Sequence, residues 1–239
     1  MHKLIESEIW LASSATKKSN NQTVDCIICT DLALKLGIKL CQSLPAFHAF
    51  TGCDYTAAFF NKGKVKPFKL FSKNEKYQTV FASLIDPADI FIDEKMKVVQ
   101  EFTASMYGIK NCTSVNDARH RIFMKTYAAK EDGENFFKKI KGFDSNSIPP
   151  CWISLLQKIL RTIFVNSMWL HATDPICMKL QPENCGWFFD EFLKPVGFIG
   201  DHSPLKIQDI VERFETECND QEDSEAEDLS YMSDDADPE

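Results

Sequence analysis

The stretch "PPCWISLLQKILRTIFVNSMWLHA", residues 149–172, constrains the fold more than any other part of the chain. Proline is tolerated at the mouth of a helix, where its fixed φ is pre-organised and its missing N–H costs nothing, so Pro149 and Pro150 read as a helix opening. The residues that follow are apolar on most sides, the pattern of a helix buried at the centre of a larger body. Such a helix has to be surrounded by elements that each present an apolar face.

The rest of the chain supplies such elements, most of them helical. Thr30 reads as the cap of a helix over "DLALKLGIKLCQSL", with Leu32, Leu36 and Leu40 at helical spacing and Gly37 as a weak point or break. Pro45 reads as the start of a short helix, "PAFHAFT", closed by Gly52. A turn around Asn61–Gly63 precedes Lys64–Phe71, which reads as the start of another helix with Pro67 tolerable only in its first turn, and Ser72 or Asn74 then caps a further helix toward Leu84. Met96, Val99, Phe102 and Met106 form a helical stripe across Asp93–Tyr107, ended by Gly108. Ser114 caps a further helix with Val115, Ala118, Ile122 and Tyr127 on one face. Strands are few. "IWLA" (9–12) and "VDCII" (24–28) read as a hairpin across the polar turn "SSATKKSNNQ", and residues 185–199 as an aromatic-rich hairpin. The polar stretch 130–147 reads as a loop. The predicted class is therefore mostly α, with short hairpins (α+β), in three parts: 1–84, a helical extension over 85–211, and a disordered acidic tail, 212–239.

Charge divides along the same lines. Of the 35 acids, 13 lie from Glu212 onward against a single base, Arg213, which leaves residues 1–211 with 22 acids and 26 bases. An acidic tail on a mildly basic body is either a solubilising segment or an interaction tail that binds a protein partner or competes with nucleic acid for the basic surface, and the pattern leaves both open. No apolar run is long enough for a transmembrane helix, and "MHKLIESEIWLASS" carries acids where a signal peptide is apolar. Nine scattered cysteines, an odd number, read as free thiols of an intracellular protein, nuclear or cytoplasmic.

Among the motifs, Cys26-Ile-Ile-Cys29 has the spacing of a redox or zinc pair, but two isoleucines in a strand context favour packing. Cys151, His171, Cys177 and Cys185 have no ligand-type spacing. Cys53 and His48 have no local protease signature, and His48 reads as a packed histidine. The lysines say more: Lys62, Lys64, Lys66, Lys69, Lys73 and Lys76 crowd one segment, interleaved with Phe60, Phe68, Phe71 and Tyr77. A turn with exposed backbone N–H groups beside lysines suits phosphate contact; a solvated helix face is the plainer alternative.

These same residues carry a resemblance. "FTGCDYTAAFFNKGKVKPFKL" resembles the Gly-x-Asp-Tyr, spacer, Gly-x-Gly-x-Lys segment of flap-endonuclease/XPG-type nucleases, which have a PIN-like fold. A closer resemblance, to an uncharacterised invertebrate family found in mobile-element contexts, extends over about Ile9 to Gly200 through Tyr107-Gly108, Pro149-Pro150-Cys151 and Gly186-Trp187. It implies that Asp54 falls on a metal-ligand aspartate, that Gly63 and Lys64 fall on the second glycine and first lysine of a phosphate-gripping turn, and that Asn61, Lys62, Gly63, Lys64, Lys66 and Lys69 form the nucleic-acid-binding segment. Asn61 stands in place of that turn's first glycine and Pro67 in place of an alanine. The partner acids of the nuclease site fall on earlier strands of the PIN-like fold, and Glu6, Glu8 and Asp25 match none of them. Two-metal hydrolysis holds cations about 3.5–4 Å apart among several carboxylates, more than one aspartate can organise.

The resulting expectation is a truncated, catalytically inactive relative of PIN-like nucleases, its helical C-terminal portion, with weak nucleic-acid backbone binding and no cofactor. Asp54 would then accept backbone N–H groups at a helix–turn junction, and the lost strands would leave apolar surface uncovered. The alternatives are a Mg²⁺- or Mn²⁺-dependent nuclease completing its site with acids from a partner or an upstream segment, and a protein-interaction module acting through its tail.

Overall fold

Pro149 and Pro150 lead into the helix around which the protein is organised. The computed structural model describes residues 9–12, 16–18, 21–23, 26–127, 145–175 and 180–200. Its elements are β1 (Trp10–Ala12), β2 (Thr16–Lys18), β3 (Asn21–Thr23), β4 (Cys26–Ile28), α1 (Cys29–Leu36), α2 (Ile38–Thr51), α3 (Val65–Phe71), α4 (Glu75–Ala82), α5 (Asp93–Met106), α6 (Val115–Tyr127), α7 (Trp152–Leu170), β5 (Trp187–Asp190) and β6 (Phe192–Pro195). The protein is mostly helical, and the described strands pair only as two-stranded antiparallel ladders, β1–β4, β2–β3 and β5–β6. The loop expected at 130–147 falls mostly, and the acidic tail wholly, outside the described residues.

The core is aromatic and crosses residue 84. Phe102 of α5 sits among Tyr77, Phe81, Phe71, Phe50 and Phe47, with ring centroids 5.2, 5.3, 5.8, 6.1 and 6.3 Å away. Four of these five pairs with Phe102 are edge-on, the orientation that sets the electropositive ring edge against a neighbour's face. Leu155, Ile159 and Ile163, four residues apart on α7, are fully buried in the same core. Asn166, buried on α7, donates from Nδ2 to the Leu84 carbonyl at 2.8 Å and so ties the end of the α4 segment to the central helix.

Several local expectations match the structure. Met96, Val99 and Phe102 are buried along α5, and Asn74 caps α4 by accepting the Lys76 N–H at 3.0 Å. Ser114 Oγ accepts the Asp117 N–H at 3.2 Å at the start of α6, and Gly37, at φ 80°, divides α1 from α2.

Three differ. Pro45 lies inside α2 rather than at its start. Leu40 and Cys41 before it and Phe47 and Phe50 after it are all buried, which outweighs the roughly 3 kcal/mol an interior proline costs. Thr30 lies within the first turn of α1, because β4 runs straight into the helix; its hydroxyl accepts the Ile9 N–H at 3.4 Å instead. The segment read as a simple turn after β1 contains the β2–β3 ladder.

The β1–β4–α1 face is thinly covered by the described residues. Helix α1 has no buried residue, and Trp10, Leu11, Ile27, Leu34 and Ile38 are all exposed. Cys26 is exposed on β4 while Cys29 begins α1, so the pair straddles a strand–helix junction rather than packing within a strand.

Candidate nucleic-acid interface and an adjoining basic pocket

The motif "TGCDY" begins at the C-terminus of α2. Gly52 ends the helix at φ 110° and ψ 133°, a backbone conformation that is essentially glycine's alone. The chain then folds back in a tight turn: the Cys53 N–H donates to the Thr56 carbonyl at 2.9 Å, the Thr56 N–H donates to the Cys53 carbonyl at 3.3 Å, and the Thr56 hydroxyl donates to the Ala49 carbonyl. Asp54 and Tyr55 occupy the exposed tip of this turn. The Asp54 carboxylate accepts no hydrogen bond from any described residue, so it does not take the capping role expected for it. Its carboxylate does act at a distance on His48, whose pKa is lowered by burial and by Lys64 and raised by Asp54. His48 stacks on Trp169, ring centroids 5.5 Å apart, and the Cys53 thiol meets the Thr56 hydroxyl at 3.3 Å. Among the described residues no three His, Cys, Asp or Glu side chains gather as a metal site.

The lysine segment divides by what each ammonium touches. Lys64 Nζ donates to the His48 carbonyl and the Thr51 hydroxyl, each at 3.0 Å, and to the Gly52 carbonyl. It thus caps the carbonyl end of α2, where unsatisfied C=O groups and the helix dipole favour a cation. Burial holds its pKa below the ordinary lysine value. Lys62 Nζ lies 4.3 Å from the centroid of the Tyr107 ring, a cation–π placement. Lys76 pairs with Glu101 at 2.8 Å.

Lys66 and Lys69, three apart on α3, and Lys73 just beyond it are exposed and make no hydrogen bond or ion pair with a described residue. Pro67 and Phe71, on the other side of α3, are buried. Asn61 takes the left-handed conformation, φ 52°, where the resembled turn has glycine. Gly63 does not need its lack of a side chain for folding, since a Cβ there would meet nothing within 4 Å.

Next to this segment lies a pocket of about 630 Å³ between the 56–60 loop, Tyr107, α6, residues 146–150, α7 and Phe198. Three cations line it, Arg119, Lys158 and Arg161, and no carboxylate does among the described residues. Lys158 is 9% exposed. Its Nζ donates to the Ala57 carbonyl and sits 4.5 Å from the Phe59 ring centroid and 5.8 Å from that of Phe50. Its pKa is lowered to about 7, chiefly by burial, then by the Arg161 and Lys64 charges, with Cys53 acting the other way. Arg161 donates from Nη1 to the Gly186 and Val196 carbonyls at 3.3 and 3.2 Å, which clamps the β5–β6 hairpin to α7. Arg119 donates to the Pro149 carbonyl. Burial pushes the Tyr107 hydroxyl up to about 12, so it is neutral and can donate at neutral pH.

Reading by motif did not single out this pocket. The one available signal was the pair Lys158 and Arg161, three apart inside an otherwise uncharged helix. No family model, curated protein or solved structure matches this chain.

Proposed function

We propose that this protein is a non-catalytic relative of PIN-like nucleases that binds the backbone of nucleic acid through Lys66, Lys69 and Lys73. The observation that carries the reading is the contrast within one segment. Lys64 and Lys76 are occupied by protein acceptors, while Lys66, Lys69 and Lys73 stand exposed and unpaired among the described residues. Lysines held by protein acceptors serve the fold, whereas exposed ones beside a turn such as Asn61–Gly63 are placed to neutralise phosphates. Asp54, on its turn tip, belongs to no group of three or more His, Cys, Asp or Glu side chains among the described residues that could share a divalent cation. A single carboxylate supports at most weak, water-rich Mg²⁺ binding, which is why the reading is of binding without cleavage.

The test is filter retention of duplex DNA across a salt series. Retention should fall steeply with salt, because each neutralised phosphate releases condensed counterions. The triple substitution Lys66→Ala, Lys69→Ala and Lys73→Ala should reduce the slope of log K against log salt by about 3, at roughly 0.9 for each phosphate contact. All three positions are exposed, so the variant should melt with the wild type. Salt-insensitive retention, or a triple variant with an unchanged slope, would sink the proposal.

A further inference from the structure

We propose that the pocket between Tyr107, Phe59 and the Lys158–Arg161 face of α7 binds a phosphate monoester carrying a planar base, either a free nucleoside monophosphate or the terminal nucleotide of a strand. Its volume, about 630 Å³, lies in the range of small-molecule sites, about 300–1,000 Å³. Its described lining holds three cations and no carboxylate, so a bound anion would meet no like charge among the described residues of the pocket. Burying an ammonium without a counter-charge is costly, and an incoming phosphate would remove that cost.

Donors remain for it. Lys158 spends one of its three N–H bonds on the Ala57 carbonyl. Arg161 uses Nη1 alone, leaving Nη2 and Nε without a described acceptor. Four aromatic residues also line it, Phe59, Phe60, Tyr107 and Phe198, with Phe60 48% and Phe198 57% exposed. Exposed rings beside buried cations match a ligand that is planar and apolar at one end and doubly charged at the other.

The titration of Lys158 adds a pH signature. With its pKa near 7, Lys158 takes up a proton when an anion binds. The groups that bear on it are Arg161 from its own helix, Lys64 and Cys53 from the loop after α2, and Arg119 and Tyr107 across the pocket. A phosphate monoester, with its second pKa at about 6, is already a dianion above neutrality, so a loss of affinity from pH 7 to pH 9 reports the lysine.

This site does not require the lysine segment to bind nucleic acid, and the two fail separately. Calorimetric titration of the full chain at pH 7 with adenosine monophosphate, adenosine and inorganic phosphate should show the monophosphate binding at least tenfold more tightly than either part. Its affinity should fall toward pH 9, and Lys158→Met should remove both the tight binding and that fall. Phe60→Ala, at an exposed position that does not threaten folding, should weaken the monophosphate at least threefold and leave phosphate unchanged. In a parallel arm, a 5′-phosphorylated oligonucleotide that binds more tightly than its 5′-hydroxyl form, with the difference lost in Lys158→Met, would assign the strand terminus as ligand. Equal binding of the two forms would assign the free nucleotide. No binding of the monophosphate at millimolar concentration, or binding unchanged in both Lys158→Met and Phe60→Ala, would overturn the proposal.

Discussion

Lys158→Met is expected to raise the melting temperature of the ligand-free protein, most at pH 6 and least at pH 10. The native pKa of about 7 lies well below the model lysine value of 10.5, so between those two pH values the unfolded chain binds a proton that the folded chain does not. Stability from this group therefore rises with pH across that window and is lowest below pH 7, where the ammonium is buried in its charged form. A shift of this size corresponds to at most about 5 kcal/mol at 1.36 kcal/mol per unit. Water reaching the pocket and lost contacts reduce it. The cation–π placements on Phe59 and Phe50 are worth about 0.5–2 kcal/mol together. The Ala57 carbonyl, on an exposed residue, can turn to water. Methionine keeps the length and most of the volume of the lysine stem. The net expectation is a gain of about 1–3 kcal/mol at pH 6 that shrinks toward zero as the pH approaches 10. Thermal melts of both proteins from pH 6 to pH 10 check it. A variant less stable than the wild type by the same amount at every pH would mean that Lys158 is a structural donor rather than a strained cation.

Gly52→Ala is expected to be among the most damaging single-methyl changes in the chain. At φ 110° an L-residue is strained whatever space surrounds it, at a cost of about 1–3 kcal/mol. The space is also taken, since a Cβ at Gly52 would lie 2.6 Å from the Ala58 Cα and 2.8 Å from its Cβ. Backbone cannot swing aside as a flexible side chain can, so the 52–58 turn would have to open. That would part the Thr56 hydroxyl from the Ala49 carbonyl and Lys64 from the end of α2. We expect a loss of about 3–5 kcal/mol, read as the midpoint shift in urea unfolding. Gly63→Ala, where a Cβ meets nothing, is the matched control and should unfold with the wild type. A Gly52→Ala protein as stable as that control would show that the turn is not held as described.

The parts of the fold legible in the sequence are those fixed by short-range physics. Pro149 and Pro150 announced α7, the Met96–Val99–Phe102 spacing announced α5, and Asn74 and Ser114 announced their helices because a side-chain cap acts within three residues. Pro45 misleads for the same reason. A proline's local cost is visible in sequence, whereas the burial of Phe47 and Phe50 that overrides it depends on α4, α5 and α7, distant in sequence. The lysine segment was legible as a charged run but not as separate roles, because the carbonyls that hold Lys64 belong to the end of another helix, 12 to 16 residues earlier. Least visible was the pocket. Lys158 and Arg161 meet Ala57, Gly186 and Val196 only once the chain has closed, the first across 101 residues.

Binding without cleavage is the central claim, and one experiment addresses it directly. The full chain is incubated with end-labelled duplex and branched DNA in Mg²⁺ or Mn²⁺, and each sample is run on a native and a denaturing gel. A salt-sensitive shift on the native gel and intact strands on the denaturing one are expected with either metal. Cleavage that requires the metal and disappears in Asp54→Ala would contradict it.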